Sequence, residues 1–469
     1  MKNIQVLILL AIMALTSCGT QEPDNRIVIA GKIEGLAEEA TVRLLSDAVL
    51  NETELSQDGT FLLEHTAEDS RYYNVYSTSG DGFTLFLYPG DSIWVTFETQ
   101  DLHTTFQASG RRATEASYLV EKSRIITRIS NMNELMAQDA QTYMETKNPL
   151  FEELEELLNR FKTESGVSKE LIELESLGLE SFDLYLDYMY PMVHRNRNNI
   201  PRNESIDFPE KETNERIASL NLDNILILKD RHSLQLLDIQ VRNAANEFMR
   251  NNLEAREVDN SFISAIFDVA GSKFSTPEVR EHVMFHALER DMSHRGPARY
   301  QQLYTRFLEE STTPEYKDRI NKIIAQWELI SPGSEVPDFA FTDIEGNEVR
   351  LSDLSGKLIY IDVWATWCGP CIAEHPHWNT LMKEYEGKDV AFLAISTDNT
   401  REPWEKMVTE KNMQGYNWYA ENAWESEISK HFNIRAIPRF LLLDRERRVI
   451  DPAADRPSGR IRETLDQHL

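Results

Sequence analysis

Two of the three cysteines in this 469-residue chain, Cys368 and Cys371, lie three apart in the stretch WATWCGPCIAEHPHW, from Trp364 to Trp378. Such a pair can be a structural staple, half of a metal site, or a redox couple. As a staple it closes a loop of two residues, which constrains little of the unfolded chain. As a metal site it would draw on His375 and His377, giving a zinc or copper set. Pro376 stands between those histidines and disturbs the helix that would aim them. The redox reading rests on position. The pair follows an apolar strand, Leu358 to Val363, and should open a helix. At a helix start the unpaired N–H groups and the dipole favour a Cys368 thiolate and lower its pKa. Gly369 and Pro370 permit the tight turn. Cys371 is expected one turn in and more buried, with Trp364 and Trp367 shielding the pair but leaving its edge accessible.

Two acids stand near enough in sequence to handle a proton. Glu374 is three residues beyond Cys371, on its helical face. Asp362 ends the preceding strand in an otherwise apolar run. A buried carboxyl has a raised pKa and can exchange a proton near neutral pH, so either acid could deprotonate Cys371 when it must become the second nucleophile. Their ordinary readings are a solvated helix residue and a polar strand end. Elsewhere, His282 and His286 share a helix face at i, i+4, a spacing that suits a metal but is far commoner for ordinary helix histidines. No cofactor and no metal site is expected.

These residues must be positioned by a chain too long for one core, and two to four domains are expected. From Arg26 to about Gln107 the hydrophobic period is two: Ile27, Ile29 and Ile33, then Val42 and Leu44, then Ile93, Val95 and Phe97, separated by turn signals such as Asp58-Gly59 and Pro89-Gly90-Asp91. This predicts an antiparallel, sandwich-like β-domain over 26–110. The period then becomes 3.6. Phe151, Leu154, Leu158 and Phe161 line one face, and Tyr316, Ile320, Ile323, Ile324 and Trp327 another behind Thr313-Pro314, predicting a helical domain over 111–330 with a polar loop near Asn196 to Pro209. After the breaker Ser331-Pro332-Gly333 the pattern alternates strand and helix, predicting an α/β domain over 331–469: a hairpin about Glu345-Gly346-Asn347, then strands at Leu358 to Val363, Val390 to Ser396 and Phe440 to Leu443.

The first residues bear on compartment. Lys2 precedes an apolar run from Ile4 to Leu15, shorter than the roughly 20 residues a membrane-spanning helix needs. Leu15-Thr16-Ser17-Cys18 then resembles a bacterial lipobox. The expectation is a lipoprotein signal peptide over 1–17, lipidation at Cys18, and a tether over 18–25. Cys18 would then offer no free thiol, and Cys368 and Cys371 would have only each other. The protein is expected in the cell envelope, lipid-anchored, on the periplasm-facing side of the outer membrane. A net charge of −29 argues against nucleic acid as a partner and against docking on anionic lipid.

Asp362, Trp364, Trp367, Cys368, Gly369, Pro370, Cys371, Pro376 and Ile437-Pro438 match the thioredoxin pattern in order and spacing. The C-terminal region resembles the TlpA/ResA-type thiol:disulfide oxidoreductases in the hairpin from Pro337 to Leu351, the acid at Glu374, and the insertion STDNTREPWEKMV from Ser396 to Val408. The resemblance implies a thioredoxin fold in which Pro438 is cis and packs against the cysteines. It also implies that the Ile437 backbone pairs with an extended substrate, beside Trp367, Gly369 and Pro370. Partners would be disulfide-containing or dithiol envelope proteins and a membrane thiol electron donor. Arg439 departs from the pattern, where Thr is frequent, and is expected to put a charge near the substrate groove. The Cys-Gly-Pro-Cys sequence matches strongly reducing proteins, about −270 mV for thioredoxin, and favours reduction of partner disulfides over oxidation or isomerisation.

Overall fold

The computed structural model describes residues 25–469 apart from 36–39, 47, 79, 130, 202 and 253–260. The expected signal peptide, Cys18 and nearly all of the tether lie outside the described residues. The chain packs as two units, divided between Gln240 and Val241.

The first unit begins with eight strands: β1 (Arg26–Glu34), β2 (Thr41–Leu45), β3 (Val49–Glu54), β4 (Thr60–Thr66), β5 (Arg71–Ser77), β6 (Gly82–Leu87), β7 (Ser92–Glu98) and β8 (Gln107–Gly110). They form two four-stranded sheets, ordered β4-β1-β7-β8 and β3-β2-β5-β6. Pairing is antiparallel except between β1 and β7, which run parallel. The period-two alternation sends Ile27, Ile29, Val42, Leu44, Val75, Leu85, Ile93 and Val95 into one buried cluster drawn from both sheets, which makes a sandwich.

Helices follow in the same unit: α1 (Ala113–Ile126), α2 (Met132–Ala137), α3 (Ala140–Phe161), α4 (Lys169–Asn198) and α5 (Glu210–Ser219); α6 (Arg231–Asn251) spans the division. Phe151, Leu154, Leu158 and Phe161 are buried on α3, as their spacing requires. Asp139 caps α3 by accepting from the Thr142 N–H at 3.0 Å. Asn199, in the left-handed region at φ 53°, ends α4 at the predicted polar loop. Glu175 on α4 is 1% exposed. It accepts from the Tyr72 hydroxyl on β5, from the Tyr118 hydroxyl at 2.8 Å and from Lys122 Nζ at 2.6 Å on α1. It is one of the polar ties between helices and sandwich, and removing one partner of such a buried set strands the others.

The second unit continues with α7 (Ser261–Lys273), α8 (Pro277–Arg295), α9 (Gln301–Glu310) and α10 (Pro314–Glu328). Thr313 and Pro314 open α10 as expected, but the Thr313 side chain makes no capping bond. The Glu281 carboxylate on α8 instead accepts from the N–H groups of Thr312 (3.1 Å) and Thr313 (2.9 Å). His282 Nδ1 lies 3.0 Å from the Tyr316 hydroxyl, and its ring packs on His286.

The last segment comprises β9 (Ala340–Thr342), β10 (Glu348–Arg350), β11 (Leu358–Trp364), α11 (Gly369–Glu384), β12 (Val390–Ser396), α12 (Arg401–Glu410), β13 (Tyr416–Tyr419), α13 (Glu427–His431), β14 (Arg439–Leu443), β15 (Val449–Asp451) and α14 (Ile461–His468). Its seven strands form one mixed sheet, β10-β9-β13-β12-β11-β14-β15. Strand β11 runs parallel to β12 and antiparallel to β14, and all seven of its residues are buried. This is the α/β thioredoxin arrangement, with the helical region and the β-domain before it.

Replacing Glu175 with Ala is expected to destabilise the first unit by about 3 kcal/mol, because Lys122 loses its partner and two tyrosine hydroxyls lose their acceptor. A urea titration following the first unit's tyrosines measures it as a lowered midpoint.

Candidate active site

Strand β11 leaves the sheet at Trp364 and the chain turns into α11 within four residues. Asp398 shapes that turn. Its carboxylate accepts from the Thr366 N–H at 3.1 Å, the Thr366 hydroxyl at 2.7 Å and the Ser396 hydroxyl at 2.7 Å. The sequence pattern marks Ser396 to Val408 as an insertion and gives Asp398 no role. The available signal was a Ser-Thr-Asp run directly at the end of a buried strand.

Cys368 is the N-cap of α11 and its Sγ accepts the Cys371 N–H at 3.2 Å. Pro370 occupies the first turn, where no N–H is needed. The two cysteines are joined in a disulfide, their Cα atoms 5.3 Å apart. Cys371 is fully buried and Cys368 only 4% exposed, so the difference between them is smaller than expected. The tryptophans divide the work unequally. Trp364 is entirely buried, whereas Trp367 is 59% exposed and tilts towards Trp424. Both cysteines join a cluster with Trp364, Trp404 and Tyr419, against which Ile437 packs. Trp404 comes from the inserted segment. His375 packs edge-on to Trp364 while His377 is exposed, and with the cysteines bonded to each other the set Cys368, Cys371, His375 and His377 does not assemble. Among the described residues no group of three or more His, Cys, Asp or Glu is arranged to hold a metal.

The two acids differ in surroundings. Asp362 sits inside β11, two residues before its end, and is 2% exposed. Its Oδ1 has no hydrogen-bond partner among the described residues. Burial, and then the negative charge of Glu374, push its carboxyl well above the usual range. Glu374 is 6% exposed, not a solvated helix residue. It accepts from the Ser458 N–H at 3.1 Å, the Ser458 hydroxyl at 2.8 Å and Arg456 Nη1 at 3.5 Å. Ser458 and Arg456 lie more than eighty residues downstream, and nothing local in the sequence marks them. The arrangement sets a dithiol couple at a helix start beside a carboxyl that holds its proton far above the range of a solvated acid.

The Ile437–Pro438 peptide is cis, and Pro438 is partly buried. The expectation for Arg439 requires correction. It is 3% exposed, so its charge is taken inside rather than displayed at a groove. Its guanidinium lies 4.7 Å from the centre of the Trp327 ring. Nε donates to the Pro452 carbonyl at 2.9 Å, and Nη1 donates to the His294 carbonyl. Helices α8 and α10 cover the first residue of β14, which sequence periodicity could not show.

A thioredoxin-type sheet presenting a Cys-Gly-Pro-Cys couple at a helix start defines a thiol-disulfide oxidoreductase. The family model described as Redoxin matches residues 331–463. The chain is 31% identical over 127 residues to the thiol-disulfide oxidoreductase ResA of Bacillus thuringiensis (strain Al Hakam), covering 27% of this chain and 72% of that one. It is 34% identical over 122 residues to ResA of Geobacillus kaustophilus, covering 26% and 67%. A crystal structure from Bacteroides vulgatus, assigned to the thiol-disulfide oxidoreductases, is 40% identical and covers 30% of this chain and 99% of that one, with a TM-score of 0.28. The chain belongs to the ResA family of thiol-disulfide oxidoreductases.

The raised pKa of Asp362 has a consequence for stability. An acid whose pKa is raised by folding contributes its stability below the ordinary carboxylate pKa of about 3.9 and loses it as pH rises through the folded value. Asp362→Asn removes the titration, so the variant should gain stability over the wild type as pH rises above about 4 towards the folded value. Thermal unfolding of both proteins across that range measures the widening gap.

Proposed function

We propose that this protein reduces disulfides of partner proteins in the cell envelope through the Cys368/Cys371 dithiol. The observation that carries the assignment of roles is the Cys371 N–H on Cys368 Sγ at 3.2 Å, at the start of α11. In the reduced protein that donor and the helix dipole stabilise a Cys368 thiolate. The thiolate attacks one sulfur of the partner disulfide. A mixed disulfide forms and the other partner sulfur leaves as a thiolate. Cys371, its proton passed to Asp362 or Glu374, then attacks Cys368 Sγ. The second partner sulfur leaves and the Cys368–Cys371 disulfide remains. A membrane dithiol donor returns two electrons and two protons. Trp367, Gly369, Pro370, Ile437 and Pro438 would receive the partner, with the Ile437 backbone pairing to an extended segment. The Cys-Gly-Pro-Cys sequence supports reduction as the direction.

The reading places the redox chemistry in a domain over 331–469, preceded by a sandwich over 26–110 and helices over 111–330. It places a lipid on Cys18 after removal of 1–17, tethering the mature chain to the periplasmic face of the outer membrane. The lipobox-like Leu15-Thr16-Ser17-Cys18 supports this.

Cys371→Ala should accumulate mixed disulfides with partners, seen as alkylation-resistant, reductant-sensitive adducts, and Cys368→Ala should not; equal yields from both would refute the roles. Asp362 must be ionised to accept a proton, and its raised pKa makes resolution speed up as pH rises through that value. Asp362→Asn should slow the step about a hundredfold and flatten its pH profile, read by stopped-flow decay of a preformed mixed disulfide. An unchanged profile would remove Asp362 from the role. Cys18→Ala should move the full-length protein from the membrane to the soluble fraction of the envelope.

A further inference from the structure

Beside Pro438, the end of α8 and the turn after it close over the start of β14 and the segment that follows β15, leaving a cavity of about 240 Å³. Its wall includes Pro438, Arg439, His294, Arg295, Arg299 and Arg456. Four arginines converge here in a chain whose net charge is −29. The wall carries one carboxylate, Asp455, which lies 3.7 Å from Arg299. With Glu374, which lies 3.5 Å from Arg456, two carboxylates stand against four guanidinium groups and leave positive charge in excess. Burial, then the neighbouring arginines, lowers the His294 pKa to about 4, so the imidazole is neutral at pH 7 and the charge is carried by the arginines.

The second observation is a buried donor left over. Arg439 spends Nε on the Pro452 carbonyl and Nη1 on the His294 carbonyl. Its Nη2 is buried and has no acceptor among the described residues. A guanidinium taken out of water with an unfilled donor carries a desolvation cost, and its charge adds to the positive potential of the wall. Arginine clusters of this kind suit the planar oxygens of a carboxylate.

Position narrows the ligand. Ile437 packs in the cluster that holds Cys368 and Cys371, and the next residue, Pro438, is on the cavity wall. A polypeptide whose cysteine reaches Cys368 passes the cavity within a few residues, since an extended chain advances about 3.3 Å per residue. The volume falls below the roughly 300–1,000 Å³ of small-molecule sites and suits a side chain. We propose that this cavity receives an Asp or Glu side chain of the partner polypeptide, lying within a few residues of the partner's reacting cysteine, and so selects acidic segments. Arg456 also touches Glu374 at 3.5 Å, which ties the cavity wall to the acid beside Cys371.

The inference rests on the reading that the protein exchanges disulfides with polypeptides, and the test separates the two. Reduced full-length protein is mixed with two short peptides, each carrying one cysteine as a pyridyl disulfide and differing only in Glu or Gln on either side of it. The rate is read as released thiopyridone. The Glu peptide should react about tenfold faster at low ionic strength, with the advantage shrinking as salt is added. In Arg295→Gln and Arg299→Gln variants the ratio of the two rates should fall towards one. Equal rates for both peptides with the wild-type protein would overturn the cavity assignment and leave the oxidoreductase reading standing. A preference abolished by inorganic phosphate at the peptide's own concentration would overturn it in favour of a free oxyanion. Failure to react with either peptide and with neutral dipyridyl disulfide would overturn the oxidoreductase reading and the inference with it.

Discussion

Burying the Asp362 carboxyl without a hydrogen bond to one of its oxygens opposes folding, and strand β11 must offset that cost along its length. It does so by being central. With β12 on one side and β14 on the other, Ile359, Tyr360, Ile361 and Val363 are wholly removed from water. Each such side chain contributes about 1.5–3 kcal/mol relative to exposure. The same centrality keeps water from the carboxyl, which therefore holds its proton. The strand that stabilises the sheet is thus also the reason the acid is available as a proton store, and its last residue delivers the chain to the start of α11.

A Cys-x-x-C at a helix start is a small device, and three long-range contacts hold it. Asp398, from the end of β12, fixes Thr366 in the turn before Cys368. Ser458 and Arg456, from the segment before α14, hold Glu374 on the inner face of α11. Trp404 of α12 packs in the buried cluster that holds both cysteines. Each comes from a different part of the last segment, so the position of the couple depends on the whole sheet having formed.

That division explains what could be read in advance. The strands at Leu358, Val390 and Phe440 are short apolar runs bounded by breakers, and the helix after Cys368 follows from Pro370 and the strand before it; both are local signals. The β-sandwich was legible because its strands alternate strictly, though nothing in the alternation says that β1 and β7 run parallel. Trp364 and Trp367 have the same side chain and opposite exposure, and only the path of the turn separates them. Glu374 looked as much like a surface acid as a buried one, because its partners are more than eighty residues away. Helical periodicity shows which face of α8 or α10 is apolar but not what it covers. That is why the sequence places Arg439 at a groove while the structure buries it.

Arg439 shows how far the site extends. A guanidinium at the first position of β14 needs acceptors and a surface to lie on, and it finds them in the His294 carbonyl and the Trp327 ring, both outside residues 331–463. The cysteines, both carboxylates, Ser458 and the cis peptide all lie inside that segment, and so does the exchange chemistry the family shares. The wall beside Pro438 is instead shared between that segment and His294, Arg295 and Arg299 of the preceding helices. Changes in α8 and the turn after it can therefore alter what lies against Pro438 without touching the couple. In this chain the residues that move electrons and a part of the surface beside them are written in different stretches of sequence, and Arg439 is the side chain that joins the two.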